Sequence, residues 1–139
     1  MTVIAALLVA AFVATILLLR RRVVRSWLSV QVCGDSMAPA FHDGQQLRLR
    51  RRPPSRRPER GDAIVFAIAD DGIPRREPPY RIKRVAAIEG DVVPAWAITA
   101  LGDRAVPACH VVVSGDNPVS QDSRQLGFIC EDAIVAIVD

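Results

Sequence analysis

Three stretches of this 139-residue chain carry side chains able to do chemistry. The first is Val32-Cys33-Gly34-Asp35-Ser36-Met37-Ala38-Pro39, followed by Asp43-Gly44. A serine just past a Gly-Asp turn stands on a bend, where backbone N–H groups can converge on one spot, as stabilising an oxyanion requires. The second is Tyr80-Arg81-Ile82-Lys83-Arg84-Val85, then Gly90-Asp91. Of the 18 basic residues 17 are arginine, and Lys83 is the single lysine. Arginine keeps its proton in a protein, whereas a buried lysine can lose it. A free lysine is neutral in only about one molecule in 2,500 at pH 7, so a lysine base needs its pKa brought down to ~7–8, which apolar burial can do. The third is Gly115-Asp116-Asn117-Pro118-Val119-Ser120-Gln121-Asp122-Ser123-Arg124, then Gly127. Its hydroxyls, carboxylates and arginine are enough to orient a lysine and to brace a loop through a bidentate Asp–Arg pair. Taken singly, each stretch has a plainer reading: a common turn, a surface lysine on an edge strand, an Asx-rich loop.

Other chemistry has less support. Cys33, Cys109, Cys130, His42 and His110 lack metal-ligand spacing, so no metal site is expected. A Ser–His–Asp triad through His42 or His110 has no local signature. Cys109 and Cys130 flank the third stretch. A disulfide between them, with Cys33 left free, and three reduced thiols are both open.

The elements that must position these residues follow from patterning. Val3 to Leu19 is apolar except for Thr15. As a helix it is about 26 Å long, enough with flanking residues to cross a thin bilayer. No positive side chain precedes it and no convincing small-x-small site follows, which argues against a cleaved signal peptide. Beyond it the texture turns to short β-type runs between Gly, Pro, Asp and Asn clusters. Strands are expected over Leu28–Val32, Gln46–Arg50, Ala63–Ala67, Tyr80–Ile88, His110–Val113 and Ala133–Val138. In the fourth, alternation sends Ile82, Arg84 and Ala86 to one face and Arg81, Lys83 and Val85 to the other. The expected architecture is a mostly β domain over residues 26–139 behind a membrane anchor and basic collar over residues 1–25.

Length leaves room for one domain and excludes repeat arrays and two-domain oxidoreductases. Charge is uneven: residues 20–60 hold eleven arginines against three acids, and residues 61–139 hold seven basic residues against twelve acids. A basic collar beside an apolar span points to anionic lipid before nucleic acid. The run from Arg50 to Arg60 has no aromatic for base stacking, so it reads as lipid contact or a solvated loop.

In this order the three stretches resemble the type I signal peptidase family, membrane-anchored serine proteases with a Ser–Lys dyad. The resemblance runs from about Ser29 to Val138. Arg60-Gly61-Asp62-Ala63-Ile64-Val65-Phe66 is similar to the family's short Gly-Asp strand motif. The resemblance implies Ser36 as nucleophile and Lys83 as general base. It implies Ser120 as a hydrogen-bonding partner of the lysine and Asp122 with Arg124 as a structural pair. Backbone oxyanion donors would come from Ser36 and Gly34. Val32, Met37 and Ile82 would line the substrate site. No cofactor is implied.

The implied partners are a precursor protein with an N-terminal signal or leader peptide and the lipid bilayer, and no nucleic acid. The implied location is the cell membrane, single-pass, with the catalytic domain outside the cytoplasm. The arginines after the span would by themselves place that domain inside. Two further readings stay open: a dedicated maturation protease for one precursor, facing the cytoplasm, and an inactive membrane-anchored binding module.

Overall fold

The computed structural model describes residues 8, 11–19, 26–53, 55–68, 80–102 and 104–138. Seven strands carry the domain: β1 (Trp27–Gln31), β2 (Gln46–Arg50), β3 (Ala63–Ala67), β4 (Tyr80–Ala87), β5 (His110–Ser114), β6 (Ile129–Cys130) and β7 (Ile134–Val138). Two one-turn helices, α1 (Ile98–Leu101) and α2 (Ser123–Leu126), lie between β4 and β6. The expected mostly β domain is therefore present. All six expected strands form, and the two-residue β6 is the addition.

The strands make two sheets. β1 and β2 pair alone, antiparallel, with Val30 opposite Leu47. The other five run in the order β6-β5-β4-β3-β7. An Arg51–Ala136 bridge and an Arg52 N–H bond to the Val135 carbonyl (2.8 Å) join the end of β2 to β7. β1 reads exposed-buried-exposed-buried-exposed, as a strand with one wet face should. β3 is buried at four consecutive positions, because both its faces are covered.

Those two faces define two cores. Val65 and its cross-strand partner Ile82 pack with Leu28, Val30 and Val32. Ile64 packs with Val85, Val111 and Val113 on the other side. Each such side chain, fully buried, contributes roughly 1.5–3 kcal/mol. A third cluster, around Val93 and Leu101, fastens α1 to β4 and β5.

Residues 11–19 are helical, with the Thr15 hydroxyl donating to the Ala11 carbonyl at 2.9 Å. That internal bond satisfies the one polar side chain of the apolar stretch. Phe12 is 67% exposed and Leu18 61%. Among the described residues no helix is long and apolar enough to cross a membrane. Most of Val3–Ala10 and the basic collar at 20–25 lie outside the described residues.

Candidate active site

The serine stretch is a loop with a closed neck. Val32 N–H donates to the Gln45 carbonyl and Gly44 N–H returns a bond to the Val32 carbonyl, both 2.8 Å. Gly34 sits at φ +79°, a left-handed backbone that glycine adopts without strain. Its N–H donates to Asp43 Oδ1 at 2.7 Å. Met37, 1% exposed, drops into the core beneath the turn and so fixes the half-exposed Ser36 beside it. The Ser36 N–H makes no hydrogen bond among the described residues.

Lys83 lies on β4 opposite Ile64, on the face shared with Val85. It is 2% exposed. Burial pushes its ammonium below the ordinary lysine value, and the charge of Arg81 pushes the same way. Asp122 and Asp116 oppose that shift without cancelling it.

The loop after β5 ties these two together. Asn117 N–H donates to the Ser36 carbonyl (3.2 Å) and its side-chain amide to the Asp35 carbonyl (3.1 Å). Arg84, next to Lys83, grips Asp116 with two bonds of 2.7 and 2.6 Å and donates to the Gly61 carbonyl at 2.8 Å. That bidentate hold keeps the Asp116 carboxyl below its usual range. Gly115 allows the close approach: a Cβ there would stand 1.7 Å from Ser120 Oγ and 2.7 Å from the Ser36 carbonyl oxygen. Ser120 Oγ is buried and has no hydrogen-bond partner among the described residues. An orphaned buried hydroxyl in a native fold calls for an explanation, and a catalytic role is one.

α2 completes the brace. Asp122 caps it by accepting from the Arg124 N–H (2.8 Å), and Gln125 reciprocates by accepting from the Asp122 N–H (3.0 Å). Arg124 then clasps the same carboxylate at 2.8–3.1 Å. Burial alone would raise the Asp122 carboxyl, but the bonds from Arg124 outweigh it and hold it low. Ser123, fully buried, accepts from the Val113 N–H at 2.8 Å and pins α2 to β5.

Ser36 opens onto a cleft of about 60 Å³ lined by Val32, Cys33, Met37, Arg81 and Ile82. The expected site residues thus fall into groups. Ser36, Val32, Met37 and Ile82 line the cleft, with Met37 as its buried floor. Lys83, Ser120, Asp122 and Arg124 do not line it. The Gly34 N–H, expected to face an oxyanion, is engaged by Asp43. His42 and His110 do not line the cleft. Cys33, Cys109 and Cys130 are all free thiols, and no cluster among the described residues could hold a metal ion.

A sequence model of the family described as "Signal peptidase, peptidase S26" matches residues 1–97. The chain belongs to that family. The match takes in the serine loop and the lysine strand, and stops before the loop that joins them. No curated protein matches the chain. Membership makes this a serine peptidase of the signal peptidase type, and the family implies substrates that carry signal peptides.

Reading the peptidase from sequence overlooked four features. Gly115 and Asn117 lie in a legible Gly-Asp-Asn turn, but nothing in it announces their contact with Ser36. The Arg84–Asp116 pair and the Arg60–Asp91 pair, with Arg60 Nε 2.6 Å from Asp91 Oδ2, join residues more than thirty apart in sequence.

Proposed function

We propose that this peptidase is a membrane-anchored endopeptidase that removes N-terminal signal or leader peptides, with Ser36 as nucleophile and Lys83 as general base. The observation that carries the reading is Lys83: the single lysine of the chain, buried on an apolar face, with its ammonium held below the ordinary lysine value.

Neutral Lys83 Nζ takes the proton from Ser36 Oγ as the oxygen attacks the scissile carbonyl. The Ser36 N–H stabilises the oxyanion. The Lys83 ammonium then passes its proton to the departing amine, and water releases the acyl group by the reverse sequence. Ser120 Oγ orients Nζ, and the Asp122–Arg124 clasp holds the loop that carries Ser120. Asp122 and Asp116 supply attraction for the transient ammonium.

The precursor lies extended in the cleft. β1 pairs only with β2, and β4 at Tyr80–Ile82 pairs only with β3, so among the described residues each has one open edge. A strand laid between those edges is held by its backbone, and pockets beside Val32 and Ile82 select small side chains. The cleft is small, about 60 Å³, which suits a side chain such as that of alanine.

Residues 1–25 form the anchor and collar, and residues 26–139 the peptidase domain, which faces away from the cytoplasm. The test is cleavage of an exported precursor by the detergent-solubilised full chain, beside Ser36→Ala, with product masses determined. Cleavage by wild type alone, after a small-x-small sequence, is the expected result. Cleavage by both proteins would remove Ser36 from the mechanism. Cleavage by neither would point to a different precursor or an inactive module.

A further inference from the structure

A concentration of positive charge lines a pocket that shares no residue with the serine cleft. This pocket, of about 230 Å³, is lined by Arg50, Arg51, Arg52, Pro53, Arg56 and Ile137. It has room for roughly seven water molecules at ~30 Å³ each. Among the described residues no acidic side chain lines it. The Arg52 guanidinium is held in place entirely by backbone carbonyls, those of Ile134 (3.3 Å), Arg56 (2.7 Å) and Glu131 (2.7 Å). Its orientation is thereby fixed while its charge stays uncompensated. Glu131 and Asp132 lie on the adjoining turn, yet among the described residues no carboxylate pairs with Arg50, Arg51 or Arg52. Arg50, Arg51 and Arg52 lining one pocket without a carboxylate partner among the described residues, one of them on a preset frame, is what recognition of a phosphate oxygen set requires.

Position narrows the source of that phosphate. The Arg51 N–H donates to the Ser26 carbonyl at 2.7 Å, so the pocket adjoins the point where the N-terminal segment enters the domain. Seven residue steps separate Ser26 from Leu19, the last described helical residue, a reach of at most ~25 Å. Trp27, 41% exposed, follows at once, and the Arg48 guanidinium lies 5.0 Å from its ring centroid. Trp27 pairs opposite Arg50, on the wet face of the β1–β2 sheet. An exposed tryptophan beside arginines, eight residues after an apolar helix in sequence, is the composition of a headgroup-level surface.

We propose that the pocket lined by Arg50, Arg51 and Arg52 binds the headgroup phosphate of an anionic phospholipid. The choice of lipid over a free phosphate rests on the reading of residues 1–25 as a membrane anchor. Binding there fixes the rotation of the domain about its anchor and so the presentation of its cleft to a membrane-bound precursor.

Native mass spectrometry of the full chain, released from detergent micelles doped with equal phosphatidylglycerol and phosphatidylcholine, tests the pocket. Wild type should retain phosphatidylglycerol about tenfold over phosphatidylcholine. Arg50→Gln/Arg51→Gln should lose that preference, since neither side chain holds the fold. Arg20→Gln/Arg21→Gln/Arg22→Gln should keep it, which separates the pocket from the collar. An unchanged preference in the first variant, or its loss in the second, would overturn the proposal. So would displacement of the retained lipid by millimolar inorganic phosphate, which would assign the pocket to a soluble anion. Flotation with pure phosphatidylcholine vesicles reports on the anchor separately. A chain that does not float yet still selects phosphatidylglycerol would refute the anchor and uphold the pocket.

Discussion

Gly115 lies flush against Ser120: a Cβ on the glycine would overlap the serine hydroxyl, at 1.7 Å, and press on the Ser36 carbonyl at 2.7 Å. The requirement is for space and not for an unusual backbone angle. Gly115→Ala must therefore displace both the loop and the serine turn. Overpacking of this kind costs about 1–3 kcal/mol of stability, and an ångström of misplacement in a catalytic group costs on the order of 100-fold in rate. The expected outcome is a folded protein, by thermal unfolding, with kcat/KM down about 100-fold. Full activity in Gly115→Ala would show that Ser120 and Ser36 need not be this close.

Lys83 gives a pH signature. Its folded pKa is lowered from 10.5, by burial first and then by Arg81. If Lys83 is the general base, activity needs the neutral amine, so kcat/KM should rise with pH and level off above the lowered value. Lys83→Arg should be as inactive as Lys83→Ala, because arginine keeps the charge and cannot serve as a base. Stability moves in the same direction. Between the lowered folded value and the ordinary unfolded one, the unfolded chain binds the extra proton, so stability rises with pH across that window. Lys83→Met should remove this dependence and stabilise the fold at pH 7 by about 1 kcal/mol, at the expense of all activity. Appreciable turnover by Lys83→Arg would eliminate lysine as the base.

The strands were legible because their patterns are local. β2 and β3 begin and end where expected, and β1, β4, β5 and β7 deviate by about one residue at their ends. β6 is two residues long, too short for alternation to register. Which strands are neighbours was not legible. β7 lies beside β3, and β1–β2 form a sheet of their own, through contacts between residues distant in the chain. The candidate site divides in the same way. Ser36, Lys83, Ser120, Asp122 and Arg124 are marked by residue type within short motifs. The clamp of Asn117 on Ser36, the Arg84–Asp116 pair and the engagement of Gly34 by Asp43 depend on how loops meet, which spacing does not encode.

Asp122 combines two roles that two substitutions separate. It caps α2 and it pairs with Arg124. Asp122→Asn keeps a good cap and loses the charge; Asp122→Ala loses both. The alanine variant should be destabilised by about 1 kcal/mol, and the asparagine variant by less. Acid titration checks the charge. The folded carboxyls of Asp122 and Asp116 lie below the ordinary 3.8. Their contribution is complete above the unfolded value and is lost as pH falls through the folded ones. Asp122→Asn should therefore flatten the loss of stability below pH 4, read by urea unfolding at a series of pH values. An unchanged acid slope would mean that the Asp122–Arg124 pair contributes nothing net.

Ser120 offers the sharpest separation of structure from catalysis. Its hydroxyl is buried beside Gly115 and has no hydrogen-bond partner among the described residues, so it adds no bond to the resting fold there. Removing an unsatisfied buried hydroxyl relieves a desolvation penalty on the order of 1–3 kcal/mol, so Ser120→Ala should be neutral or stabilising. If Ser120 Oγ orients Lys83 during the reaction, the same substitution should lower kcat by about 10- to 100-fold, with KM nearly unchanged. Ser120→Thr, which keeps the hydroxyl, should recover part of the rate to the extent that its methyl group fits against Gly115. A Ser120→Ala protein that is both less stable and fully active would assign the hydroxyl to the fold and take it out of the mechanism.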